Sequence, residues 1–253
     1  MGSPRRPLLG VARPCDDDIA EKNRNELYRR MIDQPPGCSV TPCCSGTPCG
    51  CHQISGLILA GGQARRMQQS GQPLIDKGLI EVGGEPLVSH MRRYLEPKVV
   101  QVWVNVNRCL EVYAHYGKVV ADDASLGTNL GPLAGVASAL AKIETQWLVV
   151  APVDVVLLPN DLIDRLAQAA FEAQAQVAYA SSNGPQPLCM LVHQDMYGSL
   201  CDFLREGGRK VQQWQRLNSA VAVEFEPCAN AFFNINTRDD LCVAQQLFTA
   251  KET

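Results

Sequence analysis

The feature that most constrains the fold is a short apolar run that ends abruptly at two adjacent glycines. The run covers Ile54–Leu59, and Gly61-Gly62 follows it after a single alanine. Short, continuous apolar runs are typical of strands buried in parallel sheets, so the run predicts a first strand. Glycines after such a strand let the backbone approach a ligand, and the N–H groups of such a turn form an anion-binding concavity. The stretch therefore predicts a phosphate-binding loop.

Three cationic side chains, Arg65, Arg66 and Lys77, follow the glycine pair and would suit a polyphosphate. Two common phosphate loops are absent. Lys77 is followed by Gly78 and not by Ser or Thr, and the adjacent glycines do not fit G-x-G-x-x-G. For a glycine pair alone, an ordinary strand-to-helix turn with solvated basic residues is the better explanation. The ordered combination LAGG, RRM and DKGL favours a nucleotide-binding loop.

Predicted strands alternate with predicted helices after this loop. Strands are expected at residues 99–106, 118–121 and 147–151, and helices at residues 86–95, 110–116, 131–143 and 160–173. This alternation predicts an α/β fold of three layers, with a predominantly parallel sheet covered by helices on both faces. The last third is less regular, and Thr237-x-x-Asp240 predicts a capping box at the final helix.

Flexible or polar residues stand at or just beyond the ends of the predicted strands. They are the glycine pair Gly61-Gly62, the amide Asn105 and the carboxylates Asp122 and Asp154. Ligands bind beyond the carboxyl ends of strands in such sheets, so we expect these groups along one edge. Asp154 follows a buried strand and is the best candidate for a metal ligand. Either aspartate could instead cap a turn or helix.

Several of these motifs occur together, and in the same order, in one family. Leu59-Ala60-Gly61-Gly62, Arg65-Arg66-Met67 and Asp76-Lys77-Gly78-Leu79 resemble the signature of the molybdenum cofactor guanylyltransferases. The resemblance covers roughly residues 54 to 250 and implies a Rossmann-like nucleotidyltransferase fold. It further implies transfer of GMP from GTP to the terminal phosphate of molybdopterin or Mo-molybdopterin. Pyrophosphate would be released and the guanine dinucleotide cofactor formed.

The resemblance also implies roles for individual residues. Lys77 would neutralise the triphosphate, Arg66 would assist the leaving pyrophosphate, and Asp154 would bind Mg²⁺ and complete the catalytic set. The nucleotide-binding residues would be Leu59, Ala60, Gly61, Gly62, Lys77, Asn105, Asp122 and Asp154. Arg209 and Lys210, with Asn234 and Asn236, could hold the anionic pterin acceptor, although these four also suit a helix linker and turns.

The chain departs from the family pattern in two places. Gln68 stands where relatives usually have a glycine, and the loop that leads to Asp76-Lys77 is longer. Relatives also often carry a proline shortly after the metal-binding aspartate, where this chain has Val155-Val156.

Other functions stay open at this stage. They are a cytidylyltransferase of the same cofactor, a sugar-phosphate nucleotidyltransferase, and a non-catalytic nucleotide-binding adaptor that delivers cofactor to a partner enzyme. Cytidylyl relatives more often carry Ala-Ala-Gly, so Ala60-Gly61-Gly62 favours guanine. Molybdoenzyme maturation proteins are the partners that a cofactor-delivering protein would meet.

The first 53 residues lie outside the resemblance and form a predicted N-terminal extension, with the nucleotidyltransferase domain at residues 54–253. Within it, Asp16-Asp17-Asp18 and Pro35-Pro36-Gly37 bracket a short amphipathic helix. Six of the 11 cysteines follow or precede it, at Cys15, Cys38, Cys43, Cys44, Cys49 and Cys51. No CxxC pair occurs, so a flexible linker, a metal or iron–sulfur site and redox chemistry remain alternatives, and the order of the segment stays open.

The remaining composition argues against some partners. With 23 basic and 26 acidic residues the net charge is -3, which does not favour binding to nucleic acid. No apolar run approaches the roughly 18 residues of a membrane span, and the N-terminus lacks the apolar region of a signal peptide. We therefore expect a cytoplasmic protein with no membrane partner.

Overall fold

The computed structural model describes residues 54–62, 76–226 and 231–249. The predicted N-terminal helix and the cysteine-rich segment lie outside the described residues, as do Arg65, Arg66, Gln68 and the long loop before Asp76. The domain boundary at residue 53 therefore stays a prediction.

The described residues contain eleven strands and seven α-helices. The strands are β1 Ile54–Leu59, β2 Glu81–Val82, β3 Glu85–Pro86, β4 Gln101–Asn105, β5 Lys118–Val120, β6 Trp147–Pro152, β7 Val155–Val156, β8 Val177–Ser181, β9 Pro185–His193, β10 Val221–Glu224 and β11 Phe233–Asn234. The helices are α1 Leu87–Leu95, α2 Leu110–Tyr113, α3 Pro132–Leu140, α4 Leu162–Glu172, α5 Met196–Arg205, α6 Val211–Leu217 and α7 Arg238–Thr249. Short 3₁₀ turns occur at Lys77–Leu79 and Ala124–Leu126.

Seven strands form the central sheet, in the order β10-β8-β9-β6-β1-β4-β5. Strand β9 is antiparallel to both of its neighbours, and the other neighbouring pairs are parallel. Two small antiparallel pairs, β2-β3 and β7-β11, lie outside this sheet. The predicted α/β class with a predominantly parallel sheet is confirmed.

Helices cover both faces of the sheet, as predicted. Successive side chains of β1 point to opposite sides, so Leu57 and Ile58 belong to two different apolar clusters. Leu57 packs in the cluster that contains residues of α3, α5 and α6, whereas Ile58 packs in the one built with α1, α4 and α7. The sheet therefore lies between two helical layers, which gives the three-layer arrangement.

Local sequence patterns account for several elements. Helix α1 buries Leu87, Val88, Met91 and Leu95, the four residues expected on its apolar face. The predicted capping box is also confirmed, because Thr237 Oγ1 accepts from the Asp240 N–H at 3.1 Å and the Asp240 carboxylate accepts from the Thr237 N–H at 2.8 Å.

Other elements differ from the prediction. The apolar stretch at residues 79–82 suggests a longer strand, but Leu79 ends a 3₁₀ turn and only Glu81–Val82 pair with β3. The apolar run Cys189–His193 predicts a strand, but strand β9 begins four residues earlier, at Pro185, since proline is tolerated at the first position of a strand. Strand β10 was not predicted. Across the described ranges, no helix has the length and apolar character that crossing a membrane requires.

Candidate active site

The loop after β1 leaves the sheet between the ends of two neighbouring strands. Leu59 is in register with Asn105 of β4 on one side and with Pro152 of β6 on the other. Beyond it, the Ala60 N–H donates to the Asn105 carbonyl at 3.0 Å, and the Val153 N–H donates to the Leu59 carbonyl at 3.1 Å. Leu59 and Ala60 are buried, whereas Gly61 and Gly62 are exposed at the edge. Their backbone is therefore open to a ligand.

Lys77 returns to this edge beside the glycine pair. Its backbone N–H donates to the Gly62 carbonyl at 3.0 Å, and it begins the turn Lys77–Leu79. Its ammonium nitrogen lies 2.6 Å from Asp154 Oδ2 and 2.7 Å from Asn236 Oδ1. Three segments that are far apart in sequence thus meet at one cation. The longer loop before Asp76 does not prevent Lys77 from reaching the strand ends.

Asp154 lies just beyond the end of β6 and is held by a small ladder. Its carbonyl accepts from the Ile235 N–H at 2.9 Å, and Val155–Val156 pair antiparallel with Phe233–Asn234. Val155 and Val156 therefore form a strand that fixes the Asp154 backbone. Because Asn236 follows closely after β11, the same ladder places both oxygen partners of Lys77.

Asn105 and Asp122 form a second polar group at the same edge. The Asn105 side chain is buried, and its Nδ2 donates to the Val120 carbonyl at 3.1 Å and to Asp122 Oδ1 at 2.9 Å. Asn107 donates from Nδ2 to Asp122 Oδ2 at 2.8 Å and accepts from the Asp122 N–H at 2.9 Å. Both carboxylate oxygens of Asp122 thus accept from amides, which orients the carboxylate. Asn107 was not predicted as a site residue, although it lies two residues after Asn105.

Gly135 of α3 makes room for Asn105. A Cβ atom at position 135 would lie 2.2 Å from Asn105 Oδ1 and 2.4 Å from its Cγ. The helix is therefore able to pack on the end of β4 only because this residue has no side chain. Helix α3 itself begins after Gly131, whose φ of 75° suits glycine, and Pro132 occupies its first position.

An ion pair that sequence reasoning missed supports the Lys77 turn. Asp76 is 8% exposed and accepts from the Arg108 guanidinium through Nε at 3.2 Å and through Nη2. Arg108 follows the Asn105-Val106-Asn107 segment, so this pair ties the Lys77 turn to the loop after β4. In the sequence, only Asp76 of this pair belongs to a motif, so the pairing with Arg108 could not be predicted.

Some predicted site residues lie elsewhere or outside the described ranges. Arg66 is not among the described residues. Arg209 donates from Nη1 to the Leu204 carbonyl at 2.8 Å and the Gly208 carbonyl at 2.6 Å, so it closes the end of α5. Asn234 Nδ2 donates weakly to the Phe232 carbonyl at 3.4 Å. Of the four acceptor candidates, Asn236 is the one whose side chain binds the Lys77 ammonium directly.

The donor set at this edge suits a metal that arrives with phosphate. Within the described ranges, no group of three or more His, Cys, Asp or Glu side chains is arranged to hold a metal ion. The Asp154 carboxylate lies 2.6 Å from the Lys77 ammonium and is itself only 22% exposed. Mg²⁺ commonly binds through one or two carboxylates and completes its shell with water and phosphate oxygens. The residues present would fit such a metal through the Asp154 carboxylate.

The amide partner of Lys77 is itself held in place. Asp240 Oδ2 accepts from the Asn236 N–H at 2.9 Å. That backbone hydrogen bond is the main cause that lowers the pKa of Asp240 below its ordinary value. The start of α7 therefore orients Asn236, and Asn236 orients the ammonium.

A cavity of about 390 Å³ adjoins Asp122 and one side of α3. Ser138, Lys142 and Tyr197 line it together with Asp123. This cavity lies beside the end of β5, the edge strand of the sheet. Polar side chains therefore extend along the strand ends from the Lys77–Asp154 pair to this cavity.

Comparisons with known proteins agree on one group. The family model that describes the MobA-like NTP transferase domain matches residues 56–220 of this sequence. A molybdenum cofactor guanylyltransferase of Shewanella amazonensis is 39% identical over 191 residues, which cover 75% of this chain and 94% of that protein. The enzyme of the same name from Shewanella loihica is 38% identical over 186 residues, 73% of this chain and 92% of that protein.

A solved structure shares the fold. It is that of molybdopterin-guanine dinucleotide biosynthesis protein A from Archaeoglobus fulgidus, with a TM-score of 0.62 and 21% identity. The match covers 78% of this chain and 99% of that one. At this identity the likeness concerns the fold alone.

Proposed function

Since the chain belongs to the molybdenum cofactor guanylyltransferase family of MobA-like NTP transferases, and is thus a nucleotidyltransferase, we propose that it transfers GMP from GTP to molybdopterin. The acceptor is the terminal phosphate of molybdopterin or Mo-molybdopterin. The products are pyrophosphate and the guanine dinucleotide cofactor. One observation carries the proposal: an open diglycine turn, a lysine and a carboxylate converge at the ends of neighbouring strands.

The residues of this edge suit nucleotidyl transfer. An acceptor phosphate oxygen attacks the α-phosphorus of GTP, a new P–O bond forms, and the bond to the β-phosphate oxygen breaks. Negative charge spreads over the phosphate oxygens in the transition state, so positioning and neutralisation supply most of the catalysis. The backbone of Gly61 and Gly62 is placed to hold phosphate oxygens, and Lys77 adds a positive charge beside them. Arg66 assists the leaving pyrophosphate in this scheme.

The metal site has one protein ligand in this proposal. Asp154 holds Mg²⁺, which supplies further neutralisation of the phosphate oxygens when bound. The carboxylate is suited to this role because its backbone is fixed by β7 and β11 and its side chain is largely shielded from water.

The second polar group orients the nucleoside. Asp122 is held by the amides of Asn105 and Asn107, and its remaining lone pairs can accept hydrogen bonds from ribose hydroxyls or base N–H groups. The acceptor approaches from the side of Asn234 and Asn236. Delivery to molybdoenzyme maturation proteins, a cytoplasmic location, and the lack of nucleic-acid or membrane partners remain predictions from the sequence.

The test is a transfer assay with the full chain, Mg²⁺, molybdopterin and GTP labelled at the α-phosphate. We expect label in a dinucleotide product and one pyrophosphate released for each product. CTP and UTP at equal concentration serve as competing substrates, and Asp154→Asn is the matched inactive control. Transfer from CTP in preference to GTP would show a cytidylyltransferase. GTP binding without any pyrophosphate release would instead favour the adaptor.

A further inference from the structure

We propose that Lys77 serves as a stand-in cation on Asp154, so that a divalent metal binds this carboxylate only together with the nucleotide. The inference rests on the proposed function for the identity of the nucleotide. It concerns the order of events at the site, and it assigns Lys77 a role in the nucleotide-free enzyme as well as in catalysis.

The ammonium already takes the place that a metal would need. Its nitrogen lies 2.6 Å from Asp154 Oδ2, and the two side chains are only 13% and 22% exposed. A charge-assisted contact of this length in a partly desolvated setting is stronger than an exposed ion pair. A divalent ion at Asp154 would face the ammonium within a few ångströms, and like charges repel strongly at that distance. Lys77 therefore opposes the binding of a metal at Asp154 for as long as its ammonium stays on the carboxylate.

The described residues offer few ligands to a metal that arrives without the nucleotide. No cluster of three or more metal-binding side chains lies within the ranges that the structure describes. Asp240 Oδ2, on the segment that carries Asn236, already accepts from the Asn236 and Thr237 N–H groups, and Asp122 has both carboxylate oxygens engaged by Asn105 and Asn107. A metal arriving alone would gain one carboxylate and would have to displace a cation, so its affinity for the nucleotide-free enzyme should be low.

The nucleotide supplies the means of displacement. The Lys77 backbone is tied to the Gly62 carbonyl, and the lysine Cδ lies 3.9 Å from the position where a Gly62 Cβ would be. The stem thus runs alongside the exposed turn that is placed to hold phosphates. Rotation about side-chain bonds can move the ammonium away from Asp154 and toward this turn while the Lys77 backbone stays in place. That movement would free Asp154 Oδ2 for a metal, and the bound nucleotide would supply phosphate oxygens as further ligands.

Asn236 makes the exchange selective. The Lys77 ammonium nitrogen donates a second hydrogen bond to Asn236 Oδ1 at 2.7 Å, and the Asn236 N–H donates to the Asp240 carboxylate. Lys77 is therefore anchored by two oxygens from different segments. A ligand has to offer several anionic oxygens to compete, as a triphosphate does.

The inference can be tested without turnover by using Mn²⁺ as the probe. Free Mn²⁺ is followed by electron paramagnetic resonance in titrations of nucleotide-free protein. We expect weak binding to the wild type and binding at least about tenfold tighter, about 1.4 kcal/mol, to Lys77→Met. The gain should vanish in Lys77→Met/Asp154→Asn. Lys118→Met, which removes an equal charge at the start of strand β5, away from the site, should behave as the wild type.

Two results would overturn the inference: equal Mn²⁺ affinity of the wild type and Lys77→Met, or a gain that persists in the double variant. A second measurement needs no variant and so does not depend on how Lys77→Met folds. Water-proton relaxation by Mn²⁺ should change little with wild-type protein alone and rise when GTP is added without acceptor. Strong enhancement by the protein without GTP would likewise refute the exchange.

The outcome is separable from that of the proposed function. No acceptor is present in either measurement, so the expected Mn²⁺ results together with a failed transfer to molybdopterin would refute only the proposed function. Normal GMP transfer together with tight Mn²⁺ binding to the nucleotide-free wild type would refute only the exchange.

Discussion

Gly135→Ala is the substitution whose effect follows most directly from the packing of the site. Gly135 lies inside helix α3, where every residue from Leu133 to Leu140 is buried. The new methyl carbon would lie 2.2 Å from Asn105 Oδ1, 2.4 Å from Cγ and 2.9 Å from Nδ2. Real atoms do not approach so closely, so either the helix or the asparagine has to move.

The magnitude can be worked from the hydrogen bonds that Asn105 would lose. Its bond to the Val120 carbonyl contributes about 1 kcal/mol, and its bond to the Asp122 carboxylate contributes about 2 kcal/mol. Alanine in a helix interior is favoured over glycine by about 1 kcal/mol, which offsets part of the loss. We therefore expect the free energy of unfolding to fall by about 2 kcal/mol. For a domain of this size that corresponds to a melting temperature lower by about 4–8 °C.

Urea unfolding and thermal melting measure this change, and GTP kinetics report on the site. We expect a higher KM for GTP, because Asp122 loses the amide that orients it. Gly198→Ala is the matched control: Gly198 lies in helix α5 with open space around it, so alanine should stabilise by about 0.5–1 kcal/mol. If Gly135→Ala stabilised the protein as Gly198→Ala does, the account of Asn105 packing would be wrong.

Four further predictions concern the site and its support. Lys77→Ala and Asp154→Ala should each lose most GMP transfer while far-UV circular dichroism stays unchanged; near-normal turnover by both would contradict their roles. Thr237→Ala should cost about 1 kcal/mol in urea unfolding through loss of the helix cap, and an unchanged midpoint would contradict this. The pKa of Asp240 is lowered in the folded protein, so its carboxylate contributes fully to stability above its ordinary pKa of 3.8 and loses that contribution as pH falls through the lowered pKa. The unfolding midpoints of the wild type and Asp240→Asn should therefore converge in acid. A difference that stayed constant with pH would refute this. Tyr113→Phe should raise the free energy of unfolding by about 1 kcal/mol, because the buried Tyr113 hydroxyl has no hydrogen-bond partner in the described part of the chain; a less stable variant would refute this.

Local patterns in the sequence were sufficient for several of the elements and for the candidate strand ends. The run Ile54–Leu59 is a strand with the predicted limits, and the apolar face of α1 and the capping box at Thr237 are as expected. These features depend on the periodicity of neighbouring residues and on hydrogen bonds between residues three or four apart. They are therefore readable from a short stretch of sequence.

Partner choice between distant segments was not readable in the same way. Strand β9 runs antiparallel to both neighbours although its sequence resembles that of the parallel strands, because its direction is set by the short turn after β8. The ion pair between Arg108 and Asp76 and the hydrogen bond between Asn107 and Asp122 were not predicted from any motif.

The sequence by itself determined which chemical groups stand at the ends of the strands, and motif order determined the family. Only the tertiary structure decided that Lys77 rests on Asp154 and Asn236, residues 77 and 159 positions away. The reason is geometric: strand order and the β7-β11 ladder place these side chains within hydrogen-bonding distance. A pattern of residue types along the chain carries no such distances.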